Sequence, residues 1–328
     1  MPAPVSALAV LLSVALFGAG CAPSFRDCSV EDASAAEALP LTLADTGLYD
    51  DIGAKAVSAA AVEFKPQFPL WTDGADKRRW LLLPAGTLVD TSANDDWAYP
   101  VGTKLFKEFS LDGVRLETRM NVLTETGWTG AAYIWDDAEG NATRATEGAA
   151  NIAGTAHDVP NAGECLACHG GRRNFTLGFS ATQLDDDARQ ALFASGQLSH
   201  ESVVAHNIEP ELLEGLGVLH GNCAHCHNAD RDAQPQSTQC YAPWAEGDEA
   251  FDFTLPAELD DVYNAPALRT AADQLGVPGE SKVLRRMGTR NLDEDNPSMP
   301  PLGTEVVDDD GVQAVEALLA RLNELAQP

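Results

Sequence analysis

Basic residues are in short supply. Lysine and arginine number 21 against 50 aspartates and glutamates, a formal net charge of −29. A surface of that sign repels nucleic acid and anionic lipid, so neither is expected as a partner. It keeps an exported protein soluble and would suit a basic protein partner. Methionine is scarcer still, with four in the chain: Met1, Met120, Met287 and Met299. A glycine-rich phosphate loop, an HExxH helix and a GxSxG elbow are all missing, which removes the motif-based routes to nucleotide binding, zinc proteolysis and serine hydrolysis. Beyond residue 20 no apolar run reaches the ~20 residues that span a bilayer.

The one apolar run lies at the start, from Val5 to Phe17. It is short for a membrane span and suits the apolar region of a secretory signal, although no Lys or Arg precedes it. Residues 1–20 therefore read as a signal peptide, residues 21–47 as a polar tether, and the protein as exported, to the periplasm or to an envelope membrane. Cys21 follows Gly18-Ala-Gly20, where bacterial lipoproteins carry their lipidated cysteine. A lipid anchor at Cys21 would be the only membrane contact; simple cleavage after Gly20 fits the same residues.

Seven cysteines are present, and four fall into two copies of one pattern. The first is Cys165-Leu-Ala-Cys168-His169, the second Cys223-Ala-His-Cys226-His227. Two cysteines three apart can each bond a vinyl group of one haem, and the histidine directly after them can ligate its iron. Two C-x-x-C pairs could also build an all-cysteine zinc site, and one pair alone a redox dithiol. Neither alternative needs the histidine, whose chance at one given place is roughly a few per cent. The expectation is two covalent c-type haems, on Cys165 and Cys168 and on Cys223 and Cys226, with His169 and His227 as proximal iron ligands. Cys28 and Cys240 are left as a possible disulfide in an oxidising compartment.

The rest of the chain divides around these motifs. Residues 48–155 hold Trp71, Trp80, Trp97, Trp128 and Trp135, expected in a core, and short alternating runs: RRWLLLP, PAGTLVD, VGTKLFKEFSL, VRLETRMNVL and TGAAYIWD. Asp112-Gly113 between two such runs signals a hairpin. This segment reads as an antiparallel β-rich domain. Residues 156–207 form a first c-type haem segment, with a helix capped by Ser180 or Thr182 and running to about Phe193. Residues 208–328 read as a second haem domain, with a helix over 210–219 leading to Cys223 and a terminal helix whose Val312, Val315, Leu318, Leu319, Leu322 and Leu325 share one face. Between those helices Met299 stands in NPSMPPLG, a proline-stiffened loop that can hold a thioether against iron. This order is that of a small class I cytochrome c, so the fold expected is α+β, a β-rich domain followed by mainly α-helical cytochrome c-like haem domains.

With these residues in place, the chain resembles a family of exported bacterial c-type cytochromes, usually di-haem, with a β-rich N-terminal domain. The matching stretches are Pro69-Leu-Trp-Thr-Asp-Gly-Ala75 followed by Lys-Arg-Arg-Trp80, then LPAGTLVDTS, PVGTKLFKEFSLDG and LETR. The first haem motif matches from Pro160 to His169, the second from Leu219 to Asn228, and the end from Arg285 to Asp308. What the resemblance implies is haem binding and electron transfer, with other redox proteins of the cell envelope as partners; it does not identify them.

The second haem has a full ligand pair in prospect, His227 and Met299. The sixth position of the first is open to His157, His200, His206 or Met120, or to nothing. Two functions follow. A closed first haem makes the chain an electron carrier; an open one makes it a di-haem peroxidase-like enzyme, which needs acid–base groups beside the iron. The carrier leads, because no such group can be named.

Overall fold

The protein is described from a computed structural model, which describes residues 33–93, 96–170, 174–202, 204, 206–228, 252–255, 281–290, 298–300 and 303–325. Expectations for the signal segment, Cys21, Cys28 and Cys240 lie outside these residues.

The dominant element is a six-stranded antiparallel meander. It runs β3 (Ala61–Phe64), β4 (Asp76–Leu82), β5 (Lys104–Leu111), β6 (Val114–Thr124), β7 (Gly127–Trp135) and β8 (Ala142–Arg144), each strand paired with the next in sequence. A two-stranded ribbon, β1 (Tyr49–Asp51) and β2 (Ala56–Val57), precedes it. The β5–β6 turn is Asp112-Gly113, with φ of 51° and 82°. Both residues sit in the left-handed region that a two-residue hairpin of the favoured twist requires.

Because side chains alternate along a strand, register decides what each face carries. Trp80, Phe106, Met120 and Ala131 are successive cross-strand partners on one face. They form a core with Tyr133 and Trp135, covered by Leu43, Leu48 and Tyr49. Each large side chain buried there contributes about 1.5–3 kcal/mol. The register one residue earlier places Arg79, Lys107 and Arg119 opposite one another on the other face. That face has its own apolar core, in which Phe64, Leu81, Val89 and Trp97 pack against Phe179, Leu184, Leu192 and Leu198.

Among the described residues six α-helices occur: α1 (Ala33–Glu37), α2 (Ala162–His169), α3 (Asp186–Ala194), α4 (Pro210–Asn222), α5 (Lys282–Met287) and α6 (Asp309–Leu325). Leu212, Leu216 and Leu219 of α4 pack on Val315, Leu318, Leu319 and Leu322 of α6. Gly215 permits the approach, since a Cβ there would lie 2.6 Å from the Ala314 carbonyl oxygen. No helix among the described residues is long and apolar enough to cross a membrane.

This arrangement overturns the expected fold class. The body of the protein is a β-rich core, and no mainly α-helical cytochrome c-like domain is present among the described residues. Helical periodicity is real in α3, α4 and α6, but it yields a few separate helices. Leu184 and Leu192, around α3, are buried against the sheet in one cluster with Phe64, Leu81 and Trp97.

Smaller corrections follow the same logic. The tether expected over 21–47 ends in packed structure: Leu43 is fully buried, and Arg144 N–H donates to the Leu41 carbonyl. The helix expected from Ser180 or Thr182 begins at Asp186, because Asp185 supplies the cap by accepting from Ala188 N–H at 2.8 Å. PAGTLVD forms only isolated bridges through Val89 and Asp90. Trp80, Trp97 and Trp135 are core, whereas Trp71 and Trp128 are half-buried.

Candidate functional site

The first motif lies on α2. A reciprocal capping box starts this helix: Asn161 Oδ1 accepts from Glu164 N–H at 3.0 Å, and Glu164 carboxylate accepts from Asn161 N–H at 2.9 Å. Cys165, Cys168 and His169 then line a cavity of about 1030 Å³, open solvent included, together with Arg79, Lys107 and Arg119 from the sheet and Trp71, Leu177 and His225.

His169 is oriented from behind. Its Nδ1 lies 2.8 Å from the Phe175 carbonyl oxygen, which can only accept, so Nδ1 carries the proton. The Asn121 amide also sits 3.2 Å from Nδ1. Nε2 thereby keeps its lone pair, the second-shell arrangement typical of iron- and zinc-bound histidines. Burial and then the neighbouring Lys107 pull this imidazole down to about 3, which keeps it neutral. Phe175 adopts a left-handed φ of 58° to present that carbonyl, and its ring stacks on Trp128.

The second motif follows α4, which begins with Pro210 at its first turn and ends at Asn222, with Cys223 as its C-cap. Cys226 and His227 N–H groups both donate back to the Cys223 carbonyl, curling the motif into a turn. Asn228 closes it through a 2.7 Å bond to the Ala224 carbonyl. His220 Nδ1 accepts from Leu255 N–H, a structural role. His227 packs edge-on against Phe253.

Met299 comes to this motif. It shares with Cys223 a small cavity, also lined by Trp71, Asn222, Met287 and Arg290. Its N–H donates to the Arg286 carbonyl at 2.8 Å, and its carbonyl accepts from Arg290 at 3.1 Å, so the loop is pinned at this residue. His227 does not line that cavity.

The two motifs meet each other. Ligand atoms of Cys168, His225 and Cys226 all lie within 4.8 Å of one another. The Cys168 thiol is pushed well above its ordinary range, first by its hydrogen bond with Cys226 and then by burial. Burial raises Cys165 to about 11 and Cys223 to about 12, so all three are neutral thiols at pH 7.

The candidates for a sixth ligand of the first haem fare differently. His157 Nε2 is engaged by Glu117 at 2.7 Å in the interior. Met120 is buried in the opposite core, and His200 is exposed and bound to Ser199. His206 does not line the cavity that holds His169. His225, inside the second motif, lines the cavity of the first. Trp71, expected in a core, instead lines both cavities. Trp71 N–H donates to Asn222 Oδ1, its indole donates to the Val306 carbonyl, and Asp73 accepts from Glu305 and Val306 N–H. The PLWTDGA stretch is thus a clasp between the sheet and the second motif. The motif itself was the available signal.

Compared with protein-family models, curated proteins and solved structures, the chain matches none.

Proposed function

We propose that the chain carries two covalent c-type haems and passes electrons between redox proteins of the cell envelope, as an exported protein. The observation that carries this reading is His169: next to two cysteines of one helix turn, on a cavity wall, with Nδ1 committed to a carbonyl and Nε2 without a hydrogen-bond partner among the described residues. When bound, a haem iron supplies a reversible one-electron step. The residues of the chain hold it, set its surroundings and exclude solvent. Cys165 and Cys168 would attach the first and His169 would ligate it; Cys223, Cys226 and His227 would do the same for the second, with Met299 as its thioether ligand. Because the Cys168 and Cys226 sulfurs adjoin, the two attachment points are in contact, and exchange between the haems needs no intervening residue.

A second reading has its own observation. Cys168, His225 and Cys226 are grouped as three ligands of a zinc-type site would be, although a closed structural site needs a fourth. Pyridine haemochrome and metal analysis of the protein, made in a host with haem-maturation machinery, separates the two. Two haems per chain are expected; stoichiometric zinc without haem refutes the proposal.

A further inference from the structure

The cavity wall facing the first motif carries a charge pattern that the fold alone does not explain. Arg79, Lys107 and Arg119 occupy three adjacent strands at one register, each directly opposite the next. Like charges opposite one another destabilise a sheet. Charges taken out of water are normally paired. Arg119 obeys that rule: it holds Glu117, which also engages His157. Arg79 and Lys107 do not. Arg79 is 4% exposed and its Nε has no hydrogen-bond partner. Lys107 makes no ion pair with a carboxylate among the described residues; its ammonium lies 5.9 Å from the Phe109 ring centroid. Among the described residues lining this cavity the sole acid is Glu164, whose carboxylate caps α2. Buried Arg79 and half-buried Lys107 therefore face a cavity whose one acid is engaged as a helix cap. Burial accordingly depresses the Arg79 guanidinium to about 10 and the Lys107 amine well below its ordinary range.

We propose that Arg79, Lys107 and Arg119 form a carboxylate clamp for the propionate groups of the haem attached at Cys165 and Cys168. This rests on the haem reading above. The chemistry matches: a haem presents two carboxylates and would have its attachment residues, Cys165, Cys168 and His169, in the same cavity as the cations. A guanidinium fork takes a carboxylate through paired N–H donors, and an ammonium adds a compact charge. The clamp would neutralise the ladder, orient the ring, and hold the propionates ionised below the ordinary carboxylate range.

The test uses the full haem-loaded protein. The variants are Arg79→Gln and Lys107→Gln, with Arg79→Lys as the conservative change and Arg78→Gln as the control. Arg78 is exposed and paired with Glu63 across the sheet edge. Midpoint potentials of both haems are followed against pH, with resonance Raman bands of the propionates as a second readout. Either Gln change should shift one haem potential negative, because a positive charge is lost. It should also give that potential a new pH dependence, because the freed propionates take up protons at higher pH. The other haem and the Arg78 variant should not respond, and Arg79→Lys should recover part of the shift. In the unaltered protein the propionate bands should stay in their ionised form to below the ordinary carboxylate pKa, a readout that does not depend on any variant folding. Potentials and bands unchanged in folded Gln variants overturn the clamp while leaving the haems in place. A saturable shift of that potential on adding succinate, lost in Lys107→Gln, overturns it in favour of a diffusible carboxylate. A protein with no haem at all overturns the reading beneath it, and haemochrome analysis reports that separately.

Discussion

The two C-x-x-C-H motifs share a pattern and little else. The first sits at the end of a short capped helix against a charged sheet face, beside a cavity with Arg79, Lys107 and Arg119 in its wall. The second follows a long helix whose buried face is leucine on leucine, and it shares a smaller cavity with Met299. Potential follows surroundings as well as ligands. On the proposed haem reading, fixed charge would set the first potential, and apolar packing with the thioether would set the second. A carrier with two such centres would gain direction from their difference, and the surroundings of the two motifs differ because two layers of the fold build them.

Removing the cysteines tests that comparison most severely. Cys165→Ala/Cys168→Ala should leave one haem of two, and Cys223→Ala/Cys226→Ala should leave the other, by haemochrome count. The zinc reading predicts otherwise: Cys168 and Cys226 would belong to one site, so either pair would abolish all metal.

The next largest effect separates the two regions by acid stability. Glu117 is wholly buried and joined to Arg119 and His157. Burial raises its carboxyl, but Arg119 and then His157 outweigh that and hold it below the usual range. The folded value is thus lower than the unfolded value of about 4.3. Its contribution is complete above that pH and is lost as pH falls through the folded value. Glu117→Gln should cost about 3–5 kcal/mol at neutral pH, measured by urea unfolding, because it breaks a buried pair and leaves the Arg119 guanidinium without its carboxylate. It should also flatten the acid limb of stability. Leu319→Ala in the helical cluster should cost about 2–5 kcal/mol and leave that limb unchanged.

The seam between the regions comes third. A Cβ at Gly221 would lie 2.6 Å from the Phe68 carbonyl oxygen, which is backbone and cannot swing aside. Gly221→Ala should cost about 1–3 kcal/mol as overpacking. It should also disturb the absorption of the second haem more than the first, since Cys223 is two residues on.

What could be read in the residues follows the same division. Strands β4 to β7, the Asp112-Gly113 hairpin and the terminal helix rest on local periodicity and turn chemistry, which a single chain displays. Helix α4 appeared early but ran three residues past the expected Leu219, because its C-terminus is fixed by tertiary bonds from Asn222 to Trp71. The approach of Cys168 to Cys226, the cation ladder, and the attachment of α3 to the sheet are products of pairing between distant segments. Periodicity carries none of that. The error of fold class has this origin: helical patterns were visible, while the sheet that organises them was visible only strand by strand.

The smallest effects should reveal the regions most cleanly, because they perturb each site without unfolding it. Helix α2 starts with Asn161, whose side chain accepts from Glu164 N–H at 3.0 Å while Glu164 answers in return. Helix α5 starts with Ser281, whose hydroxyl accepts from Leu284 N–H at 3.4 Å with no such answer recorded. Capping residues are worth about 0.5–2 kcal/mol, and the reciprocal, shorter cap belongs at the upper end. Asn161→Ala should therefore cost about 1–2 kcal/mol, and Ser281→Ala about 0.5 kcal/mol. Their spectroscopic effects should not scale with these costs. Asn161 stands four residues before Cys165, so its loss loosens the helix that presents the first motif. Ser281 steadies the short helix whose Arg286 carbonyl pins Met299. Ser281→Ala should weaken the methionine–iron absorption band of the second haem and leave the first untouched, despite its smaller cost. Asn161→Ala should do the reverse. If both variants disturb both haems alike, the two environments are one coupled unit, and the contrast between charge-set and packing-set centres fails.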